Sequence, residues 1–238
     1  MTTPRPTAVV VVLFGATGDL ARRMVMPALM ELRARGLMPP HWRLIGSAAD
    51  DLDDAGFAVV LRESLGGAGG VPDDFDEIVA RTRYVGGLFS AGDPGRLPVA
   101  LSRARSELHE SSGVDPLVVF FLAVPPLAFP TITEGLGAHG LAAGAHVVFE
   151  KPYGTSLESF EELDSLVKRT FTESQVFRID HFLGKEGVQA IYTLRFANKA
   201  FGTLWDRHSV AQVQVDVPED LNVANRIGFY EATGAALD

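Results

Sequence analysis

The stretch Ala8-Val9-Val10-Val11-Val12-Leu13-Phe14-Gly15-Ala16-Thr17-Gly18-Asp19-Leu20-Ala21 decides the fold. Its apolar, mostly β-branched run ends at a glycine, which reads as a strand buried on both faces, as parallel-sheet strands are. Gly15 permits a tight turn, Gly18 lets the backbone approach a ligand, and small Ala21 lets the next helix pack on the strand. The free N–H groups and positive dipole end of that helix face an anion. Gly15, Ala16, Thr17, Gly18, Asp19 and Leu20 are therefore expected to cradle a dinucleotide pyrophosphate. The plainer alternative is a tight turn that holds no ligand.

Outward from this turn, strand and helix alternate. A helix is expected over residues 19–35, where Leu20, Met24, Ala28 and Leu32 recur at helical spacing, with Gly36 as its stop. Strands are expected over 43–46, 83–85, 117–123 and His146–Phe149. Helices are expected over 53–65, 97–109, Phe129–Ala138 and 157–171, and residues 66–70 read as a surface loop. Such alternation means a doubly wound parallel α/β sheet of the Rossmann kind. Near Gln175 the pattern changes to a short strand over 176–179, a helix over 185–197 and an alternating strand over 210–217. A boundary is expected near residue 178, giving a dinucleotide-binding domain over 1–178. The remaining ~60 residues are near the lower limit for a self-supporting domain.

The 238 residues allow one large domain, or one domain and part of another. Hydrophobic residues at 47% and charged residues at 21% suit a soluble protein with a substantial core. A net charge of -9 argues against nucleic acid as partner, which needs clustered Lys and Arg. One local basic pocket still suffices for a phosphorylated small molecule. With no cysteine, disulfides, thiol catalysis and cysteine-ligated metals are excluded. Residues 1–6 lack the layout of a secretory signal, and the apolar runs are too short to span a bilayer. A cytoplasmic protein without a membrane partner is expected.

The end of the second strand selects the cofactor, presenting either an acid to the ribose 2′-OH or an Arg to a 2′-phosphate. Here it reads Gly46-Ser47-Ala48-Ala49-Asp50-Asp51, with no cation between Arg43 and Arg62. Carboxylates would repel a 2′-phosphate, so NAD is favoured over NADP, with Asp50 as the acid. Alternatively, Asp50 and Asp51 merely begin the next helix, where acids suit the dipole. Further on, Glu150-Lys151-Pro152 follows a strand at the carboxyl end, where Lys151 can meet cofactor and substrate; the tripeptide reads equally as a hinge. In Arg178-Ile179-Asp180-His181-Phe182-Leu183-Gly184-Lys185, His181 and Lys185 can clamp a dianionic phosphate. Asp180 can orient a catalytic imidazole. The rival reading is a structural Asp cap followed by a histidine at the core's edge.

GATGDLA at 15–21, EKPYG at 150–154, RIDHFLGKE at 178–186, LRFAN at 194–198 and FGTLWDR at 201–207 together resemble the glucose-6-phosphate dehydrogenase family. The resemblance covers essentially the whole chain and corresponds to about half of a member. RIDHFLGKE followed by LRFAN is highly specific, whereas EKP alone also occurs in glucose–fructose oxidoreductases. The resemblance implies oxidation of glucose 6-phosphate at C1 to 6-phosphogluconolactone, in the pentose phosphate pathway, with reduction of NAD or NADP. It implies that residues 179–238 begin an α+β substrate domain whose sheet makes the full-length form a homo-oligomer. Gly15, Gly18, Asp19 and Leu20 correspond to the dinucleotide site, Lys151 to a lysine touching both ligands, and Pro152 to a hinge proline. His181 and Lys185 correspond to phosphate ligands, Glu219 and Asp238 to acids on the sugar hydroxyls, and Asp180 to the carboxylate steadying the catalytic histidine.

The sequence departs from the family pattern at several places. Phe182 stands where the family has a phosphate-binding tyrosine, and Ala49 where NADP-dependent members have an arginine, in agreement with NAD. Leu237 stands where an arginine is usual, and the family's catalytic histidine falls just beyond the position of Asp238. His41, His109, His139, His146 and His208 read as structural or solvated. The chain is thus expected to bind cofactor but to turn over slowly or not at all. Two other readings stand beside it, a non-catalytic dinucleotide-binding paralogue and a glucose–fructose-type oxidoreductase acting on another sugar.

Overall fold

The computed structural model of the chain describes residues 6–67, 70–214 and 216. The chain divides into two compact units, Met1–Arg178 and Ile179–Asp238.

In chain order, the first unit runs β1 (Ala8–Phe14), a π-helical segment (Ala21–Val25), α1 (Met26–Ala34), β2 (His41–Ala48), α2 (Asp54–Gly66), α3 (Phe75–Ala80) and β3 (Thr82–Gly86). It continues with α4 (Leu97–Ser112), β4 (Leu117–Leu122), α5 (Phe129–Ala138), β5 (His146–Phe149), α6 (Leu157–Thr170) and β6 (Val176–Arg178). The strands form one six-stranded sheet in the order β3-β2-β1-β4-β5-β6, and every pairing is parallel. This is the doubly wound fold, with the strand order reversing between β1 and β4.

The valine run becomes the central strand because both of its faces are covered. Val10, Val12 and Phe14 enter a core with Leu101 and Leu108 of α4, Phe129 and Leu136 of α5, and Val167 of α6. Val9, Val11 and Leu13 enter a second core with Val25, Met26, Phe57, Leu61 and Ile78. Register then aligns the strand ends. Phe14 lies opposite Ser47 and Leu122, and Leu122 lies opposite Phe149. Gly15, Ala123 and Glu150 consequently leave the sheet side by side along its carboxyl edge.

Leu20, Met24, Ala28 and Leu32 do recur at helical spacing, but Met24 is 56% and Leu32 42% exposed. The buried residues are Ala21, Val25, Met26 and Met30. In the π-helical segment the Met26 N–H donates to Ala21 O, five residues back. Such a wide turn inserts one residue and rotates the face that meets the core.

The second unit contains a 3-10 turn (His181–Gly184), α7 (Glu186–Tyr192), a π-helical segment (Thr193–Ala197) and α8 (Lys199–Gly202). The strand expected over 210–217 is not found at residues 210–214 or 216, and positions 215 and 217 lie outside the described residues. A strand needs a neighbour to satisfy its N–H and C=O groups. No strand occurs among the described residues of this unit. No helix among the described residues is long and apolar enough to cross a membrane.

Candidate functional site

The carboxyl edge of the sheet at the β1/β4 switch point is assembled from the glycine turn. Gly15 adopts φ +72°, and a Cβ there would lie 2.2 Å from Ala123 O. Only glycine fits so close to the end of β4. The Gly15 and Ala16 N–H groups donate to Ser47 O at 2.7 and 3.2 Å, fastening the turn to β2. On its other side the Ala123 N–H donates to Phe14 O at 3.0 Å, and the Gly18 N–H closes the turn on Gly15 O at 2.9 Å. The Arg22 N–H bond to Gly18 O, 3.0 Å, is the first of the helix. The amides of Asp19, Leu20 and Ala21 precede it, and such first-turn groups have no intrahelical acceptor. Ala16 and Ala21 are buried underneath, whereas Gly18 and Asp19 are exposed. The turn is therefore open on the side where an anion would approach a helix N-terminus.

Asp50 belongs to this edge. Thr17 Oγ1 donates to Asp50 Oδ2 at 2.5 Å. The helix-start alternative for Asp50 and Asp51 is not the arrangement found. α2 begins at Asp54, and Asp53 caps it, its carboxylate accepting from the Gly56 N–H at 2.7 Å. The backbone at Asp50 is held by groups that the sequence did not bring to attention. The Tyr84 hydroxyl donates to Asp50 O at 3.0 Å. Gly86 lets that carbonyl come close, since a Cβ there would be 2.7 Å from it. Burial first, and then the charges of Asp50 and Asp51, hold the Tyr84 phenol above its ordinary range. It therefore remains a donor at neutral pH.

After β5, Glu150 is buried at 6% exposure, Lys151 is exposed and the Lys151–Pro152 peptide is cis. The loop is anchored by Tyr153, whose ring packs edge-on against Phe149 and Phe160 with centroids at 5.2 and 5.8 Å. The Arg178 guanidinium lies 4.7 Å over the same ring. Arg178 also pairs with Asp164 at 3.0 Å and Glu173 at 2.8 Å. Tyr153 and the Arg178 pairs are a missed support of this edge; the spacing of Asp164, Glu173 and Arg178 carried no motif that announced it.

In the second unit, Asp180 accepts from the Phe182 N–H at 2.9 Å and caps the turn His181–Gly184. The cap reading of Asp180 is thus borne out locally. His181 and Lys185 are exposed at either end of that turn. The Lys185 ammonium lies 4.4 Å over the Phe182 ring, so the side chain replacing the family's tyrosine supports the lysine by a cation–π contact. Glu219, Leu237 and Asp238 lie outside the described residues.

Three of the remaining histidines have ring partners, and the other two are placed by their backbone. His109 pairs with Asp115 at 3.0 Å, His139 meets Ser90 O at 3.1 Å, and His146 packs on Phe177 with centroids at 5.1 Å. His208 sits in a turn where its N–H donates to Asp206 at 2.8 Å, and His41 opens β2.

Comparison with known proteins gives a consistent result. Residues 12–190 match the family described as "Glucose-6-phosphate dehydrogenase, NAD binding domain", and residues 192–238 match its C-terminal domain. The division between those two matches lies about a dozen residues beyond the division between the compact units. The chain is 40% identical over 235 residues to glucose-6-phosphate 1-dehydrogenase 2 of Mycobacterium tuberculosis, covering 95% of this chain and 45% of that protein. To the glucose-6-phosphate 1-dehydrogenase of Leuconostoc mesenteroides it is 35% identical, covering 96% and 47%. The solved glucose-6-phosphate 1-dehydrogenase of Mycobacterium avium superposes with TM-score 0.75 at 36% identity, covering 98% of this chain and 49% of that one. A glucose-6-phosphate dehydrogenase solved with its substrate glucose-6-phosphate superposes with TM-score 0.74 at 30% identity, covering 87% and 43%. The chain spans about half the length of the curated relatives it matches.

Proposed function

Because the chain belongs to the glucose-6-phosphate dehydrogenase family, we propose that its first unit is the cofactor domain of an oxidoreductase that takes hydride from C1 of glucose 6-phosphate. The observation that carries this reading is the open glycine turn at the β1/β4 switch point, with Asp50 bonded to it by Thr17. The amides of Asp19 and Leu20 would hold the dinucleotide diphosphate, and the dipole of the helix would offset its charge. Asp50 accepts a hydrogen bond from the 2′-OH of the adenosine ribose. A 2′-phosphate in that place would meet a carboxylate, so NAD binds more tightly than NADP.

The second unit begins the substrate domain. His181 and Lys185 hold the 6-phosphate from the two ends of one short turn. Lys151, at the carboxyl edge of the first unit, touches both cofactor and sugar, and Glu219 and Asp238 hydrogen-bond the sugar hydroxyls. A bound nicotinamide would supply the hydride acceptor for C1, and the C1 hydroxyl would give its proton to a base, leaving a lactone. In the family pattern that base is a histidine just beyond the position of Asp238, and Asp180 would steady it and stabilise the imidazolium it becomes.

Calorimetric titration with NAD and with NADP tests the cofactor side, and titration with glucose 6-phosphate before and after Lys185→Ala tests the substrate side. NAD is expected to bind more tightly than NADP, and Lys185→Ala to abolish the preference for the phosphorylated sugar over glucose. Equal or tighter NADP binding contradicts the role of Asp50. Sugar binding that ignores the phosphate contradicts the substrate.

A further inference from the structure

A cleft lies between α4 and the edge of the sheet, on the face of β2 and β3 rather than at their carboxyl ends. β3 is the edge strand, and Ile45 of β2 lies opposite Arg83. Alternation along the two strands puts Arg43 and Ile45, with Arg83 and Val85, on one face. Ile45 and Val85 are buried. Over them α4 places Ala100 and Ala104, whose short side chains leave a cavity of about 310 Å³ between helix and strands. The floor is apolar, and Arg43, Arg83, Arg96 and Arg103 line the cavity with it. Two carboxylates accompany these four guanidiniums. Glu107 pairs with Arg43 at 3.2 Å and with Arg103 at 2.8 Å, and Asp54 lies 3.7 Å from Arg83. The hydrogen bond from Arg103 does most to hold the Glu107 carboxyl below its ordinary range, so it is ionised at neutral pH. Two positive charges are left over in the lining, in a chain whose net charge is -9.

Guanidiniums that converge repel one another, and an anion seated among them relieves that repulsion. Arg43 and Arg103 both meet Glu107 through Nε, which leaves the terminal nitrogens of Arg103 for a further acceptor. We propose that this cleft is a second ligand site, which takes a small dianion with a flat apolar body, an aryl phosphate in chemical class. The two surplus charges match a phosphate monoester, which carries nearly two negative charges at neutral pH. Ile45, Val85 and Ala100 match its ring, and guanidinium planes stack on aromatic faces. The cavity is near the lower end of the size of small-molecule pockets, so the body is a single ring. No serine, threonine, asparagine or glutamine lines it to receive sugar hydroxyls, and the Tyr84 hydroxyl is committed to the carbonyls of Asp50 and Ala48. The occupant is therefore not a sugar phosphate, and the site is separate from the glycine turn.

The test is a residue-resolved NMR titration of the chain with phenyl phosphate, and with inorganic phosphate, glucose 6-phosphate and benzyl alcohol for comparison. Phenyl phosphate should give saturable shifts at Val85, Val99 and Ala100, and bind more tightly than the other three. Arg96 and Arg103 are exposed, so Arg96→Gln and Arg103→Gln should keep the parental thermal unfolding. Arg103→Gln should weaken phenyl phosphate about tenfold, as the loss of a charge-assisted hydrogen bond implies. Ala100→Leu fills the cavity without touching a charge; it should block phenyl phosphate and spare the weaker binding of inorganic phosphate. Should Ala100→Leu not fold, the two arginine variants decide alone. No saturable shift at these residues, or an affinity unchanged in both arginine variants, would overturn the proposal. Equal affinity for inorganic phosphate or benzyl alcohol would overturn it too, since ring and charge would not then act together. Equal affinity for glucose 6-phosphate would contradict the apolar body. Shifts confined to Asp19 and Leu20 would put the aryl phosphate on the glycine turn, and would likewise overturn it.

Discussion

Gly15 carries two burdens at once, a left-handed φ of +72° and a carbonyl 2.2 Å from where a Cβ would be. Gly15→Ala should therefore destabilise the first unit by about 2 kcal/mol or more, the scale of a strained backbone position, and abolish dinucleotide binding. Denaturant unfolding followed by a binding titration checks both; a stable variant with parental affinity contradicts the close packing of the turn on β4. At this scale, turns that follow from a local string were legible. The glycine pair, the acid after β2, and the Asp180 to Lys185 turn were all read from adjacent letters. Tyr84, Gly86 and the partnership of Thr17 with Asp50 were not, because they exist only once β1, β2 and β3 are side by side. The cap of α2 is Asp53 and not Asp50, a distinction that three acids within four positions do not display in sequence.

The support of the β6 exit gives a pH dependence that belongs to the elements. Asp164 on α6 accepts from Lys168 at 2.6 Å and from Arg178 at 3.0 Å. The hydrogen bond from Lys168 does most to hold its carboxyl below the usual range; burial opposes it, and the charges of Lys168 and Arg178 with the Arg178 hydrogen bond add to the lowering. A depressed folded-state value means that the contribution is full above the ordinary carboxylate value of ~3.9 and is lost as the pH falls below it. Asp164→Asn should be less stable than the parent at neutral pH, with the difference shrinking on acidification. Thermal unfolding of both proteins across that range is the check, and a gap that persists or widens in acid would refute the ionic role. Among the elements, those with a strong hydrophobic pattern were readable: β1, β5 and α5 have the bounds the pattern implied. α3 was not anticipated, since its six residues are too few to display a helical period. The first helix was found, but its core face was not, because a π-helical segment rotates Met26 and Met30 into the place that regular spacing assigns elsewhere.

At the largest scale, the strand order of the first unit is what gathers that unit's parts into one site. Reversal between β1 and β4 opens a crevice at the carboxyl edge, and the register brings Gly15, Ala123 and Glu150 to that edge together. The alternation of strands and helices made this architecture readable from sequence. No strand forms at 210–214 or 216, because alternation marks a solvated face but does not supply a strand to pair with. The central claim is that the amides opening the first helix hold a diphosphate. The most direct measurement is a residue-resolved amide NMR titration of the chain with NAD. The account predicts saturable shifts at Asp19 and Leu20 with a midpoint matching the calorimetric affinity. Saturable binding that leaves those amides unmoved, or no saturable change anywhere, would contradict it.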